Sequence, residues 1–259
     1  MKATQFTLAT LVALTALPSL AQTAAPAATP DYTLTGNLGI FSDYRFRGIS
    51  QTNKKPAIQG GVDFAHSSGI YLGNWNSNVD SSQYNGANIE MDFYGGWKAT
   101  FGDFGLDLGA IYYYYPGNRN PGIVNADTWE IYAGVGWKWA SAKFSYNLKD
   151  YFGAQPTGQD TDGSWYLDLS AAYPLGDTGV TLIAHFGILD VRKDGSGPYE
   201  ASYNDWKLGA AWTVPDGLLK GLEIGAYYSD TNSDGGFYTD LTGRDTAKGT
   251  GVVYVKKTF

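Results

Sequence analysis

Cysteine is absent from the 259-residue sequence. Its absence excludes a disulfide framework and a thiolate metal site, although it leaves the cellular compartment open. Basic residues are also few, because 18 Lys and Arg stand against 25 Asp and Glu and the formal net charge is -7. Binding of nucleic acid requires a basic face, so this balance argues against a nucleic-acid partner. Nothing in the sequence predicts a cofactor or a resident metal ion.

Long apolar runs are missing as well, apart from Phe6–Leu17 near the N-terminus. That run lies between one positive charge and a pair of small residues, the pattern of a secretory signal peptide over residues 1–21. It is too short for a comfortable transmembrane helix. Residues 22–31 are rich in Ala, Pro and Thr and are predicted to form a disordered spacer, which leaves 32–259 as the folded domain.

The segment Trp129–Trp139 shows a pattern that other parts of the chain repeat. Every second residue from Trp129 is apolar, and the residues between are polar or small. A period of two predicts a strand with two different faces. Indole rings settle where hydrocarbon meets lipid headgroups, so Trp at both ends of the apolar face predicts a strand that crosses a membrane. From Trp129 to Trp137 the tilted strand would rise about 21 Å, close to the ~25 Å apolar band of outer-membrane barrels.

Similar strands recur along the chain. Trp165–Tyr173 and Trp206–Trp212 also have aromatic residues at both ends. The sequence predicts twelve strands, the first at about Thr33–Arg45, with connections that alternate between short and long. Because a sheet inside a membrane cannot leave its edges open, we predict an all-β fold, a transmembrane antiparallel up-and-down β-barrel of about 12 strands with both termini periplasmic. A soluble β-sandwich is the alternative, but it would bury its large aromatic residues centrally.

Alternation divides the side chains of the predicted barrel between lipid and lumen. The outward aromatic residues near strand ends are predicted to form two girdles: Tyr44, Trp97, Tyr112, Tyr114, Trp129, Trp137, Trp139, Trp165, Tyr173, Trp206, Trp212, Tyr228 and Phe259. The inward polar residues are predicted to line a pore: Asp43, Arg45, Arg47, Asp63, Glu90, Asp92, Asp107, Glu130, Lys138, Asp168, His185, Lys207 and Glu223. Lys or Arg on the lipid face would cost about 2–4 kcal/mol at the midplane, which supports inward placement. The lining either selects solutes in an open pore or forms a salt-bridged plug in a narrow barrel, and both readings stay open.

Arg45 gives the sharpest hypothesis about this lining. Arginine keeps its charge, so the guanidinium needs acidic partners or water. Asp63 on a neighbouring strand, and Glu90 and Asp92 across the lumen, would form a transverse field with Arg45 at a constriction. Under this hypothesis, Arg45→Ala raises cation preference while the barrel still assembles.

Three other patterns have simpler explanations. Asp230–Gly235 matches the first half of a calcium loop, but Leu241 stands where a bidentate Glu is expected, so an acidic external loop containing glycine fits better. Whether divalent cations bridge this loop to lipopolysaccharide stays open. Tyr112–Tyr115 is either a sugar-stacking platform or an alternation of outward and inward rings. Glu90 and Asp92 share a face through strand periodicity alone, which is weak support for acid–base catalysis.

Ser42–Thr52, which reads Ser-Asp-Tyr-Arg-Phe-Arg-Gly-Ile-Ser-Gln-Thr, is the most specific motif in the chain. Together with Gly69–Asp80, Glu90–Gly96 and the end Lys257–Phe259, it resembles the TorF-type porin family of proteobacteria. The resemblance spans nearly the whole mature chain and implies an outer-membrane barrel and passive transport, without catalytic residues. A terminal Phe on an alternating strand also resembles the sorting signal that the barrel-assembly machinery reads, although Lys257 replaces the usual aromatic residue.

These observations together predict export to a Gram-negative outer membrane. The expected partners are membrane lipid, lipopolysaccharide, the barrel-assembly machinery during biogenesis, and small polar solutes. The leading functional hypothesis is a porin-like channel for passive diffusion of small polar solutes or ions, which is not an enzyme. The alternatives are a structural or adhesive barrel acting through its external loops, and a barrel enzyme acting on lipid, for which the sequence marks no Ser/His pair beside the lipid face.

Overall fold

The computed structural model describes residues 30–84, 86–117, 125–156, 158–194 and 199–259. The predicted signal peptide, 1–21, and residues 22–29 of the predicted spacer lie outside the described residues. In the part of the chain that the structure describes, no helix is long and apolar enough to cross a membrane.

Twelve strands form one closed antiparallel barrel, which confirms the fold predicted from the sequence. They are β1 (Tyr32–Phe41), β4 (Ala57–His66), β5 (Ile70–Asn78), β6 (Ile89–Phe101), β7 (Phe104–Tyr114), β8 (Thr128–Trp137), β9 (Ala140–Asn147), β10 (Trp165–Pro174), β11 (Val180–Asp190), β12 (Tyr203–Thr213), β13 (Leu222–Thr231) and β14 (Thr250–Thr258). Each of these twelve strands pairs with the barrel strand before it and the barrel strand after it in the chain. The barrel closes because β1 pairs with both β4 and β14. Two short strands, β2 (Arg45–Phe46) and β3 (Ile49–Ser50), form a separate two-stranded sheet.

The connections of the barrel differ in length between its two ends. At one end, which we call the turn end, the connections are residues 67–69, 102–103, 138–139, 175–179 and 214–221. At the opposite end, the loop end, they are 42–56, 79–88, 115–127, 148–164, 191–202 and 232–249. Short turns at one end and long loops at the other are typical of outer-membrane barrels.

The outer face of the barrel is apolar. Leu34 and Leu208 are 64% and 56% exposed, whereas Glu90 and Glu130 inside the barrel are each 1% exposed. Water-soluble proteins place these residue types the other way round. Such an inverted distribution lowers the free energy only where the outer face meets hydrocarbon.

Strand β1 ends at Phe41, before the boundary predicted at Arg45. Ser42 still contacts β14, because its backbone N–H donates to the Val253 carbonyl (2.9 Å) and its hydroxyl accepts from the Val253 N–H (3.0 Å). The chain then leaves the wall and turns into the lumen, where β2 and β3 pair. We call residues 43–52, which contain these two strands, the inner hairpin.

Arg47 and Gly48 form the tip of the inner hairpin. Their φ angles are 48° and 77°, and two successive positive φ angles are typical of a two-residue type I′ turn. A Cβ on Gly48 would lie 2.6 Å from both Asp205 Cβ and Thr231 Cγ2. The tip therefore packs directly against the barrel wall at β12 and β13.

Two placements predicted from the sequence are wrong. Tyr44, predicted for the outer girdle, is 7% exposed and lies inside, because strand alternation no longer applies once the chain has left β1. Lys138, predicted to line the pore, is exposed in the turn between β8 and β9, with its Nζ 4.6 Å from the centroid of the Trp137 ring. The reason is that β8 ends at Trp137 and not at Trp139, which leaves Lys138 in a turn with a φ of 54°.

Candidate functional site

The other predicted lining residues all lie on the inner side of the barrel, buried or half-buried. They are Asp43, Arg45, Arg47, Asp63, Glu90, Asp92, Asp107, Glu130, Asp168, His185, Lys207 and Glu223. They do not form one continuous lining. Some contact the inner hairpin. Asp168, His185, Lys207 and Glu223 line the cavities on its turn-end side, and Asp63 and Asp107 pair with tyrosines elsewhere on the inner wall.

Asp43 organises the base of the inner hairpin. Its carboxylate accepts hydrogen bonds from Ser50 Oγ (2.6 Å), Thr52 Oγ1 (3.1 Å) and Arg45 Nε (2.7 Å). Asp43 is 1% exposed, and a buried carboxylate requires such partners. These bonds fold the two arms of the inner hairpin onto each other, which explains why the chain departs from the sheet at this point.

Arg45 ties the inner hairpin to the loop that precedes β14. Its Nη1 donates to the Gly48 carbonyl (2.6 Å) and its Nη2 to the Lys248 carbonyl (2.8 Å). The charge is balanced by Asp43, and the Arg45 side chain is 2% exposed. The guanidinium therefore does not pair with Asp63, Glu90 or Asp92 as hypothesised from the sequence.

Arg47 carries the tip of the inner hairpin to the opposite wall. The shortest path around the barrel from β1 to β8 crosses five strand pairings out of twelve, so β8 stands nearly opposite β1. Arg47 Nη2 donates to both carboxylate oxygens of Glu130 on β8, each at 2.8 Å. Burial acts to lower the pKa of Arg47, but the Glu130 carboxylate outweighs burial and raises it. The Arg47 guanidinium carbon also lies 4.4 Å from the centroid of the Tyr166 ring, a cation–π contact.

Glu90 and Asp92 stand behind the inner hairpin on β6. The Tyr44 hydroxyl donates to Glu90 Oε1 (3.1 Å). Burial raises the pKa of Tyr44, and the charge of Glu90 raises it further, so Tyr44 remains a neutral donor. Among the described residues, Glu90 Oε2 and Asp92 Oδ1 have no hydrogen-bond partner. Both acids are buried against the hairpin and do not face open lumen.

A polar network around His185 lies below the tip of the inner hairpin. His185 Nε2 is 2.9 Å from Asp205 Oδ1, and its Nδ1 is 3.2 Å from Asp168 Oδ2. The Tyr166 hydroxyl donates to Asp205 Oδ2 (2.7 Å). Sequence reasoning missed Asp205, although its position two residues before Lys207 on the same strand face was a usable signal.

The His185 network resembles a Ser-His-Asp arrangement without its chemistry. Ser170 Oγ lies 3.1 Å from His185 Nδ1, and Asp205 lies on the other ring nitrogen. However, the Ser170 hydroxyl donates to Asp168 at 2.6 Å, so its proton is directed to a carboxylate and not to the histidine. A nucleophilic serine needs the opposite arrangement. Nor does any group of three or more His, Asp or Glu side chains among the described residues suit a metal ion.

Tyrosine hydroxyls hold several of the remaining inward carboxylates. The pairs are Tyr94 with Asp63 (2.5 Å), Tyr71 with Asp107 (2.6 Å) and Tyr254 with Glu223 (2.7 Å). Lys256, which sequence reasoning also missed, lies 3.1 Å from Glu223. These pairs line the lumen on the turn-end side, where neutral tyrosine hydroxyls donate hydrogen bonds to the charged carboxylates.

The inner hairpin divides the lumen into cavities. On the loop side, a cavity of about 340 Å³ lies between the loops of the loop end, and we call it the vestibule. On the turn side, cavities of about 180 Å³ and about 440 Å³ share Arg45, Lys207 and Tyr227 in their walls. Phe46 lines both the vestibule and the smaller inner cavity, so this ring stands between the two compartments.

The outward aromatic residues lie near the two ends of the apolar band. Near the loop end are Tyr112, Tyr114, Trp129, Trp165, Trp206 and Tyr228, and near the turn end are Trp97, Trp137, Trp139, Tyr173, Trp212 and Phe259. The Tyr112 ring stacks on Trp129 at 4.6 Å, and Trp139 meets Tyr173 edge-on at 5.6 Å. The inward rings of the same tyrosine run, Tyr113 and Tyr115, are buried and offer no platform of their own to a sugar.

The architecture is that of outer-membrane porins. A structure of the KdgM porin in complex with disordered oligogalacturonate aligns with a TM-score of 0.52 at 7% identity, over 87% of this chain and 98% of that one. A membrane protein from work on in-meso crystallization aligns with a TM-score of 0.51 at 7% identity, over 87% of this chain and 83% of that one. OccAB3 of Acinetobacter baumannii aligns at 12% identity with a TM-score of 0.44, over 90% of this chain but only 66% of that longer protein.

The sequence itself places the chain in a family. It belongs to the Gcw_chp family, described as bacterial proteins of unknown function, which matches residues 24–259. A search of the curated proteins finds no match.

Proposed function

We propose that the protein is a TorF-type porin-like channel of a Gram-negative outer membrane, through which small polar solutes or ions diffuse passively. The observation that carries this proposal is the inverted barrel. Apolar and aromatic side chains cover its outside, and charged side chains meet cavities inside. Export through a signal peptide over residues 1–21 and insertion by the barrel-assembly machinery belong to the proposal, as does contact of the outer face with lipid and lipopolysaccharide.

The inner hairpin makes this a restricted channel. A twelve-stranded barrel has a narrow lumen, and here the inner hairpin crosses it to reach β8. Phe46 lines both the vestibule and the smaller inner cavity, so a solute that moves between these two cavities passes this ring. The larger inner cavity carries Lys207, Lys256 and Glu223, so a solute that passes meets charges of both signs. A small conductance with weak ion selectivity follows from this lining.

Conductance of the purified protein in planar lipid bilayers tests the proposal. We expect discrete steps for the native protein and larger steps for Phe46→Ala, because the ring stands between the compartments. Leu218→Ala, in an exposed turn-end connection, is the matched control and should leave the steps unchanged. Absence of steps from both the native protein and Phe46→Ala, in samples with the heat-modifiable gel migration of a folded barrel, would refute the channel.

The other two functional classes receive less support. The His185 network gives no support to a barrel enzyme acting on lipid, since the Ser170 proton is directed to Asp168. An adhesive barrel would act through the loop end, where Asp240 joins two loops by accepting hydrogen bonds from Asn53 and Ser82. A silent protein whose loop variants lose surface binding would favour this second class over the channel.

A further inference from the structure

The vestibule has the composition of a ligand site that the channel function does not require. Its rings include Phe46, Tyr84, Phe152, Phe237 and Tyr238, all of them partly exposed. Ligand pockets of about 300–1,000 Å³ are typically apolar with a few placed polar groups, and the vestibule at about 340 Å³ falls within that range. Other side chains cover part of this ring surface, since Tyr84 stacks on Tyr115 at 4.4 Å and Arg47 lies over the Phe46 ring at 4.7 Å. The ring surface that remains exposed to the vestibule suits a ligand that also has flat apolar faces.

Two glutamines that line this pocket have side-chain oxygens without a hydrogen-bond partner among the described residues. The side-chain nitrogen of Gln51 donates to the Ile49 carbonyl (2.8 Å), and that of Gln83 donates to the Ser50 carbonyl (2.7 Å). Because carbonyls only accept, these bonds fix which end of each amide is the oxygen. Both side-chain oxygens are buried without a hydrogen-bond partner among the described residues, and both glutamines line the vestibule. Unpartnered buried acceptors favour a ligand that donates hydrogen bonds.

The charge of the vestibule disfavours an anionic ligand. Asp240 carries the only charged side chain among the described residues that line it. Burial acts to raise the pKa of Asp240, but hydrogen bonds from Thr242, Arg244 and Ser82 outweigh burial and lower it to about 2. Its carboxylate is therefore negative at ordinary pH and would repel an acid.

The same carboxylate has no free capacity for a cationic ligand. Asp240 Oδ1 accepts from the Thr242 hydroxyl (2.7 Å) and from the Arg244 backbone N–H (2.9 Å). Asp240 Oδ2 accepts from Asn53 and from Ser82 Oγ (3.0 Å). An ammonium group would have to displace these donors, whereas a neutral hydroxyl donor can use the two glutamine oxygens.

We infer that the vestibule is a binding site for a neutral saccharide ring, which stacks its apolar face on the aromatic side chains and donates hydroxyl hydrogen bonds to Gln51 and Gln83. A saccharide has apolar C–H faces and hydroxyl edges, and these match the rings and the acceptors respectively. The site lies on the loop side of Phe46, so binding does not depend on conduction through the barrel. Failure of this inference and failure of the channel proposal are therefore separate results.

Titration calorimetry of the detergent-solubilised full chain tests the site. The neutral probes are maltotriose, cellotriose and N,N′,N″-triacetylchitotriose, and the comparison probes are trigalacturonate and choline. We expect saturable binding of at least one neutral trisaccharide. Phe237→Ala and Gln83→Leu should each weaken it about tenfold, while Gln159→Leu in an exposed loop position and Lys207→Gln in the inner cavity should leave it unchanged.

Three results would overturn the inference. One is the absence of binding by all three neutral probes to native protein that migrates as a folded barrel. The second is binding of trigalacturonate or choline as tight as that of the best neutral probe. The third is neutral binding that Lys207→Gln abolishes but Phe237→Ala and Gln83→Leu leave intact, which would locate the sugar in the lumen and not in the vestibule. Because Gln83 also contacts the inner hairpin, Phe237→Ala keeps the test decisive if Gln83→Leu misfolds.

Discussion

Substitution of Glu130 by Gln should release the inner hairpin from the opposite wall without unfolding the barrel. The Arg47 side chain is 6% exposed and that of Glu130 is 1% exposed, so the substitution leaves a buried guanidinium without its counter-charge. Breaking a buried ion pair in this way costs about 3–5 kcal/mol. The twelve strands keep their backbone hydrogen bonds, so the cost falls on the seating of the inner hairpin. The population of the released hairpin should rise roughly 10²–10⁴-fold, since each 1.4 kcal/mol is a factor of ten.

The absence of native cysteine makes this release measurable. Ile49→Cys introduces a single thiol at a position that is 6% exposed when the inner hairpin is seated. Its labelling by a water-soluble maleimide should accelerate in the Glu130→Gln background, up to the rate of a thiol at Leu218→Cys, which replaces a 96% exposed residue. Glu200→Gln, an exposed carboxylate in a loop, is the matched control and should not change the rate.

A second variant separates the ion pair from general packing. Replacing both partners, as Arg47→Met with Glu130→Gln, removes the uncompensated charge and should return the labelling rate most of the way to that of the native background. The reasoning is refuted if Glu130→Gln leaves the rate within about twofold of native while the barrel remains folded. Slow labelling in that case would mean that the Asp43 and Arg45 contacts suffice to seat the hairpin.

Three further predictions concern the turn, the outer face and an external loop. Gly48→Ala should unseat the inner hairpin, because the new Cβ would overlap Asp205 and the backbone at position 48 needs a positive φ. In the Ile49→Cys background, the rate of thiol labelling should rise as it does for Glu130→Gln. An unchanged rate would contradict this account of the tip. Leu208→Arg on the apolar band should cost about 2–4 kcal/mol in unfolding from lipid bilayers, whereas Leu218→Arg should be neutral, and equal effects would argue against a lipid-facing band. The pKa of Asp240 is lowered from 3.8 to about 2 in the folded chain, so the hydrogen bonds that its carboxylate accepts should persist below pH 3.8 and be lost as the pH falls through about 2. Limited proteolysis across pH 5 to 2 should therefore show the loop that contains Asp240 opening only at the acid end of this range. Opening near pH 4 would contradict the prediction.

Strand alternation explains why so much of the wall could be predicted. In β8 the alternation from Trp129 places Glu130 inside, and the structure has it there because the strand is regular from Thr128 to Trp137. The same rule failed at Tyr44 and Lys138, because alternation holds only while the chain stays in the sheet. Strand ends are set by contacts that are distant in sequence, such as the bonds between Ser42 and Val253, and these leave no local signal.

The inner hairpin could not be predicted for a related physical reason. Its sequence alternates as a strand does, and Arg47-Gly48 is only a weak turn signal without a known partner strand. The contacts that seat it come from Glu130, Tyr203 and the loop before β14, between 83 and 203 residues away. The hypothesis of an Arg45 constriction assumed that the motif remained in the wall. The resemblance of the Ser42–Thr52 motif to a known family marked the segment as special, without indicating that it folds inward.

The seating of the inner hairpin also bears on the order of assembly. The hairpin follows the first strand, yet Arg45 bonds to Lys248 and Ser42 bonds to Val253, which lie 203 and 211 residues later in the chain. These partners reach their places only when β14 pairs with β1, which is the step that closes the barrel. Contacts of such long sequence separation form late in folding. The Arg47–Glu130 pair does not involve β14, so the closure of the seam completes the seating of the hairpin at its base at the same time as it seals the edge of the sheet.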